Sequence, residues 1–334
     1  VSEYDTGVEF FDDGGNITDN TLNFVLDSGE CYVLSGYTNV AANRQGFVGA
    51  LIGSDKPIVV NNGNWLGTIA PGGPQDAGVD QSVPVTQIGD EYILVRGSGN
   101  TNMERPLVIA VIDGTEVYVN GSATPITTLN AGDFFLIPES NYLGVGHENM
   151  FVTGSEPFYM YQPLGGSSSS ATGGMNFIPP VSCFLPNEID LIPDIDKIGA
   201  STYGGAIICF TEAGSALSVN GVPQVGAEPV TRNPDWETYK LTGFSGDVKV
   251  TSTGAVAAGM YGASGATGYA GYYSGFGIKP AVTLALGSCA PGVVVDGGSG
   301  FVTWQWMLEG VVIPGETGQI IVSDEPGNYS VAVS

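Results

Sequence analysis

Basic side chains are scarce in this chain: nine Lys and Arg stand against 34 Asp and Glu in 334 residues, a formal charge of −25. So acidic a surface repels nucleic-acid phosphates and the anionic face of a bilayer, so neither is an expected partner. Histidine occurs once, as His147 in Leu143-Gly-Val-Gly-His-Glu-Asn149. Nucleophilic hydrolysis needs a base beside a Ser or Cys, and no G-x-S-x-G elbow occurs, so a solvated loop histidine is expected. Gly144-Val-Gly146 lacks a third glycine at Asn149 and any βαβ context, which excludes a dinucleotide fingerprint. No apolar run approaches the ~18 residues of a membrane span, so direct membrane insertion is not expected. No basic segment precedes an apolar one, and any export signal is expected to be already removed or to lie elsewhere. The four cysteines, Cys31, Cys183, Cys209 and Cys289, show no C-x-x-C spacing, against a zinc ribbon or a thioredoxin-like site.

Long helices are missing too. No dozen-residue window carries a 3.6-residue apolar period, and 51 glycines and 20 prolines punctuate the chain too often for one. What is present reads as strand and turn. Glu116-Val-Tyr-Val-Asn120 alternates and meets Gly121, the Asn-Gly signal of a tight turn. Leu107–Ile112 is a continuous apolar run ending in Asp113-Gly114, a buried strand and a second turn. The expected class is all-β, built of repeated sandwich or jelly-roll-like units.

The chain repeats itself. Glu116–Gly121, Leu129-Asn-Ala-Gly-Asp-Phe-Phe-Leu-Ile137 and Val152–Tyr161 recur in order as Ala216–Gly221, Trp236–Leu241 and Val250–Tyr261. A partial third copy runs from Leu26–Leu34, with Cys31 as a core residue, to Ile52–Val60. These set units at 1–80, 81–180 and 181–282. From 283 the texture changes: Trp304-Gln-Trp306, a Gly310–Gly315 hairpin and Glu325–Val333 follow the order of an immunoglobulin-like sandwich. Val331 stands where an antibody domain has cysteine. This 283–334 sandwich lacks room for a seventh strand and is expected to be incomplete, a piece of a longer polypeptide with an open sheet edge.

The Asp113–Gly121 hairpin, the Leu129–Asp133 turn and Ser155-Glu-Pro157 before an apolar strand together resemble a known family. It is the extracellular domain at the N-terminus of IgG-Fc-binding mucin-like protein, which also occurs in bacterial surface proteins. The resemblance covers most of 1–282. Pro179-Pro-Val-Ser182 follows its pattern, and Cys183-Phe184 departs from it, where a tryptophan-glycine pair is usual. Residues 287–334 resemble the tandem Ig-like repeats of very large Bacteroidetes surface proteins exported by the type IX system, gliding adhesins among them. The resemblance implies an exported cell-surface β module within a far longer chain, and carries no implication of antibody binding.

Candidate sites follow from residue chemistry. Hard oxygen ligands for Ca2+ are available at Asp12 and Asp13, at Asp76 with Asp80, and at Asp190 with Asp194 and Asp196. The same residues also build turns. Asp194–Gly199 opens like an EF-hand loop, but Ile198 and Gly205 fall where oxygen ligands are needed. Cys183 and Cys209 lie on neighbouring expected strands, placed either for a disulfide on export or as two buried thiols. Trp65 and the tyrosines Tyr269, Tyr272 and Tyr273 form either an adhesive, paratope-like surface or the packing of a sheet. No catalytic residue emerges. The expected role is a non-enzymatic module of a large exported bacterial adhesin or filament, meeting a surface glycan, a protein, or other copies and domains of its own protein. A carbohydrate-binding or carbohydrate-cleaving ectodomain and a self-assembling appendage subunit are the alternatives.

Overall fold

The computed structural model describes residues 1–12, 15–17, 21–37, 39–67, 76–100, 102–165, 174–182, 185–264, 267–272, 282–286, 290–299 and 301–333. The class is all-β: 3-10 turns are the only helices among the described residues, and none is long and apolar enough to cross a membrane. The chain divides into two compact units, 1–276 and 277–334.

Two sandwiches make up most of the first unit. In one, the 15-residue strand Asn149–Pro163 is central. Its first half pairs with Gly89–Val95 and Thr115–Val119. After a register break between Thr153 and Phe158, its second half pairs with Leu107–Ala110 and Met175–Phe177. One strand thus serves both layers, the corner device of a closed sandwich. Tyr92, Leu94, Val117, Met150 and Val152 from one half meet Val108, Phe158 and Met160 from the other in a fully enclosed core. In the second sandwich, a sheet of Glu188–Ile192, Val248–Thr251, Ser218–Val219 and Val222–Pro223 faces a five-stranded sheet centred on Gly204–Glu212. Ile189, Leu217, Val250, Ile207, Cys209 and Tyr239 fill the space between them.

The two sandwiches also share packing. Strand Gly89–Val95 turns Tyr92 and Leu94 inward and Ile93 and Val95 outward. Ile93 and Phe151 meet Phe210 and Trp236, while Val95 and Leu164 meet Ile208 and Tyr261. Burial on both faces is why these strands read as unbroken apolar runs rather than alternating ones.

The repeat is reproduced at atomic level. Asn120 and Asn220 both sit at φ +51°, each followed by a glycine at positive φ, as a type I′ turn demands. Each asparagine then clamps the neighbouring strand. The Phe151 N–H donates to Asn120 Oδ1 (3.0 Å) and the Phe151 carbonyl accepts the Asn120 N–H (2.8 Å). Lys249 does the same for Asn220, at 2.7 and 2.9 Å. The partial third copy differs. Residues 22–34 form no strand, Val25 and Val33 are exposed, and Cys31 is an exposed free thiol rather than a core residue. The first segment instead packs Val8, Phe10 and Leu22 against Tyr4 and Phe47.

The second unit is a smaller sandwich. Thr283–Leu286, Val293–Asp296 and Ile320–Ser323 form one sheet, and Val311–Val312, Trp304–Leu308 and Tyr329–Val333 the other. Trp306 is fully buried among Val293, Val295 and Ile321, and its indole N–H donates to the Gly318 carbonyl at 2.8 Å. Tyr329 O–H donates to the carbonyl of Glu325, four residues upstream.

Candidate functional site

Where the two sandwiches of the first unit meet, a cleft of about 550 Å3 opens between the loops 96–99 and 144–148 and the strand residues Lys240 and Thr242. The 144–148 loop is closed by reciprocal backbone bonds between Leu143 and Asn149. Gly144 sits at φ +145°, where an added Cβ would lie 2.0 Å from the His147 carbonyl oxygen, so only glycine fits. Glu228 reaches from the second sandwich and accepts the Val145 and Gly146 N–H groups at 3.0 Å each. Those bonds hold its carboxyl below the usual carboxylate value. Val145, at the tip, is 98% exposed.

The facing loop is shaped by Glu104, which is fully buried. Its carboxylate accepts the N–H groups of Gly97 (2.5 Å), Gly99 (2.7 Å) and Gly165 (2.8 Å). Burial pushes this carboxyl above its ordinary value, while the three N–H groups and Lys240 pull it back. Lys240 donates to the Gly97 carbonyl at 2.5 Å and lies 5.9 Å from the centre of the Tyr261 ring. Burial lowers its pKa, and Glu104 opposes that. Arg96 is paired with Glu148 (2.5 Å) and reaches Glu139 at 3.7 Å. His147 Nε2 lies 2.9 Å from Thr238 Oγ1, and burial lowers its pKa, so the ring is neutral at pH 7.

The cleft therefore gathers two of nine basic residues and the sole histidine into one polar pocket. Its lining offers hydrogen-bond donors and acceptors in fixed positions. The Ser98 hydroxyl bonds Tyr261 and the imidazole bonds Thr238, so neither is aligned as a nucleophile with a base.

Little of this cleft is legible in the local sequence. His147 is half-buried and hydrogen-bonded rather than a solvated loop histidine. Arg96, Glu104 and Lys240 were not singled out. The available signal was Lys240, a charge inside the strand Trp236-Glu-Thr-Tyr-Lys-Leu241 of a chain that has few cations.

The expected sites fare differently. Tyr269 is buried and Tyr272 half-buried: they lie across the adjacent strand from Gly262 and Gly259, and an added Cβ at those glycines would meet their rings at 2.6 and 2.9 Å. The glycine-tyrosine texture is thus cross-strand packing, not an exposed contact patch. Cys209 is a free, buried thiol within the second core, its pKa pushed up to about 12 by burial. Cys183, Asp13 and Tyr273 lie outside the described residues, as do the side chains of Asp12, Trp65 and Asp76.

The remaining calcium candidates each have a protein partner. Asp80 accepts the Phe177 and Gln81 N–H groups, Asp196 accepts that of Gly246, Asp194 pairs with Lys197, and Asp190 pairs with Lys249. Among the described residues no three acidic, histidine or cysteine side chains converge as a metal site.

No curated protein matches this chain. The model of one protein family, IgGFc binding protein, matches residues 3–262, which include the first sandwich, the second up to its strand Val256–Ser264, and the whole cleft. The match spans well over half of the chain and agrees with the resemblance carried by the Asp113–Gly121 hairpin: the chain belongs to the IgGFc binding protein family.

Proposed function

We propose that this chain is a non-enzymatic binding module of a large exported bacterial surface protein, an adhesin or filament, and that the cleft between its two sandwiches is the contact site. The observation that carries this reading is the cleft itself, a rigidly framed polar recess in a family of binding proteins, with an exposed valine at its lip. Its frame is built from backbone bonds to Glu104 and Glu228, so the walls are pre-organised rather than ordered on binding. The second unit serves as an immunoglobulin-like spacer. Its support is the buried Trp306, the Tyr329–Glu325 corner bond and Val331 two residues beyond Tyr329.

Adsorption of the purified chain to bacterial and host cell surfaces tests the reading, with Thr242→Trp as the blocking variant. Thr242 is exposed on a strand at the cleft, so a bulky ring there fills the recess without entering a core. Adsorption that falls at least about tenfold, equivalent to ~1.4 kcal/mol, is the expected result. Undiminished adsorption would remove the cleft from the role, and turnover of any glycan abolished by one carboxylate substitution would overturn the non-enzymatic assignment.

A further inference from the structure

Resting on the cleft as the contact site, we infer that its ligand is a neutral, polyhydroxylated molecule the size of a mono- or disaccharide, rather than an ion. The charges in the cleft are already matched. Arg96 is held by Glu148 and flanked by Glu139, and Lys240 is bonded to the Gly97 carbonyl beside the buried Glu104. An anion entering here would have to displace a carboxylate, in a chain of net charge −25. A cation would have to displace the arginine or the lysine. Neither exchange yields a net gain, because breaking a partly buried pair leaves one charge uncompensated.

What the cleft still offers suits hydroxyl groups. Lys240 places one of its three N–H donors on Gly97, leaving two. Arg96 and Glu148 set donors and an acceptor side by side, and a vicinal diol, in which each hydroxyl both donates and accepts, can span such a pair. Ser98 and Thr242 add hydroxyls to the lining. The exposed Val145 at the lip gives the C–H face of a sugar ring an apolar contact. A cleft of about 550 Å3 lies within the ordinary range of small-molecule sites.

The test titrates the full chain with glucose, galactose, mannose and N-acetylglucosamine, one at a time, following the amide signals of Gly97, Gly99 and Gly146 by NMR. Sodium acetate and sodium phosphate are the charged controls. At least one sugar should give saturable shifts at these amides with a millimolar Kd. Thr242→Val, which keeps the shape of an exposed strand residue, should weaken it several-fold, and Lys240→Met should weaken it about tenfold or more, the scale of a lost charged hydrogen bond. Saturation by acetate or phosphate with none by the sugars would overturn the inference. So would sugar binding unchanged in both variants. If Thr242→Trp abolishes cell adsorption while no sugar binds, the ligand inference falls and the binding-module reading stands. If a sugar binds at these amides while Thr242→Trp still adsorbs, the ligand inference stands and the cleft is removed from the adhesive role.

Discussion

The two asparagine clamps give the sharpest quantitative expectation, because the same Val-Asn-Gly turn sits in different surroundings. Asn120 and Asn220 share φ +51°, and each offers its side-chain oxygen to a strand N–H. Asn120 Nδ2 donates to the Asn141 carbonyl at 2.7 Å, and Asn220 Nδ2 to the Asp247 carbonyl at 3.1 Å. Phe151, the partner of Asn120, is part of the core between the sandwiches, whereas Lys249 is not. Replacing Asn120 by alanine removes two hydrogen bonds worth about 1 kcal/mol each and orphans a partly buried donor. It also places a Cβ-bearing residue without a compensating side-chain bond in the left-handed region, at about 1 kcal/mol more. The expected loss is therefore about 3 kcal/mol. At Asn220 water can take over the exposed partners, so mainly the conformational part remains, about 1–1.5 kcal/mol. Glycine separates the two contributions: Asn220→Gly should stay within about 0.5 kcal/mol of wild type, while Asn120→Gly should still lose about 2 kcal/mol. Urea unfolding followed by far-UV circular dichroism measures these differences, and hydrogen exchange at the Phe151 and Lys249 amides localises them. Equal losses for the two alanine variants, or a glycine variant no better than alanine at Asn220, would refute this division of the energy.

Three further outcomes follow from the same geometry. Gly144→Ala should cost about 2–3 kcal/mol through strain at a backbone region nearly reserved for glycine, and should raise hydrogen exchange at Val145 and Gly146. His147 has a folded pKa below its unfolded value, so between the ordinary imidazole value and the lowered one the unfolded chain binds more protons, and stability falls as pH drops through that window. His147→Gln should flatten that slope in a series of urea titrations, and an unchanged slope would contradict the assignment. Trp306→Ala should cost about 3–5 kcal/mol, enough to unfold a small sandwich, and is read as loss of the protection of the Val293 and Ile321 amides.

Much of the architecture was legible residue by residue, because local backbone preference and apolar patterning act over a few positions. Asn120-Gly121 and Asn220-Gly221 specified their turns, since few other residues adopt positive φ cheaply. The alternation of Glu116–Asn120 and the run Leu107–Ile112 announced strands, and Trp306 and Tyr329 marked a core position and a corner of the second unit. The Asp113–Gly121 hairpin, the Leu129–Asp133 turn and Ser155-Glu-Pro157 carried the resemblance to the family whose model matches residues 3–262. Tertiary structure alone decided what the tyrosines and the charges do. Tyr269 and Tyr272 pack across the sheet because their register sets them opposite Gly262 and Gly259, and register depends on pairing between whole strands. The cleft unites Arg96, His147 and Lys240 only because the outward residues of Gly89–Val95 and Gly204–Glu212 bury one another, bringing loops far apart in sequence to one rim. No local pattern encodes such a meeting: it is set by which apolar faces remain to be covered once each sandwich has closed on itself.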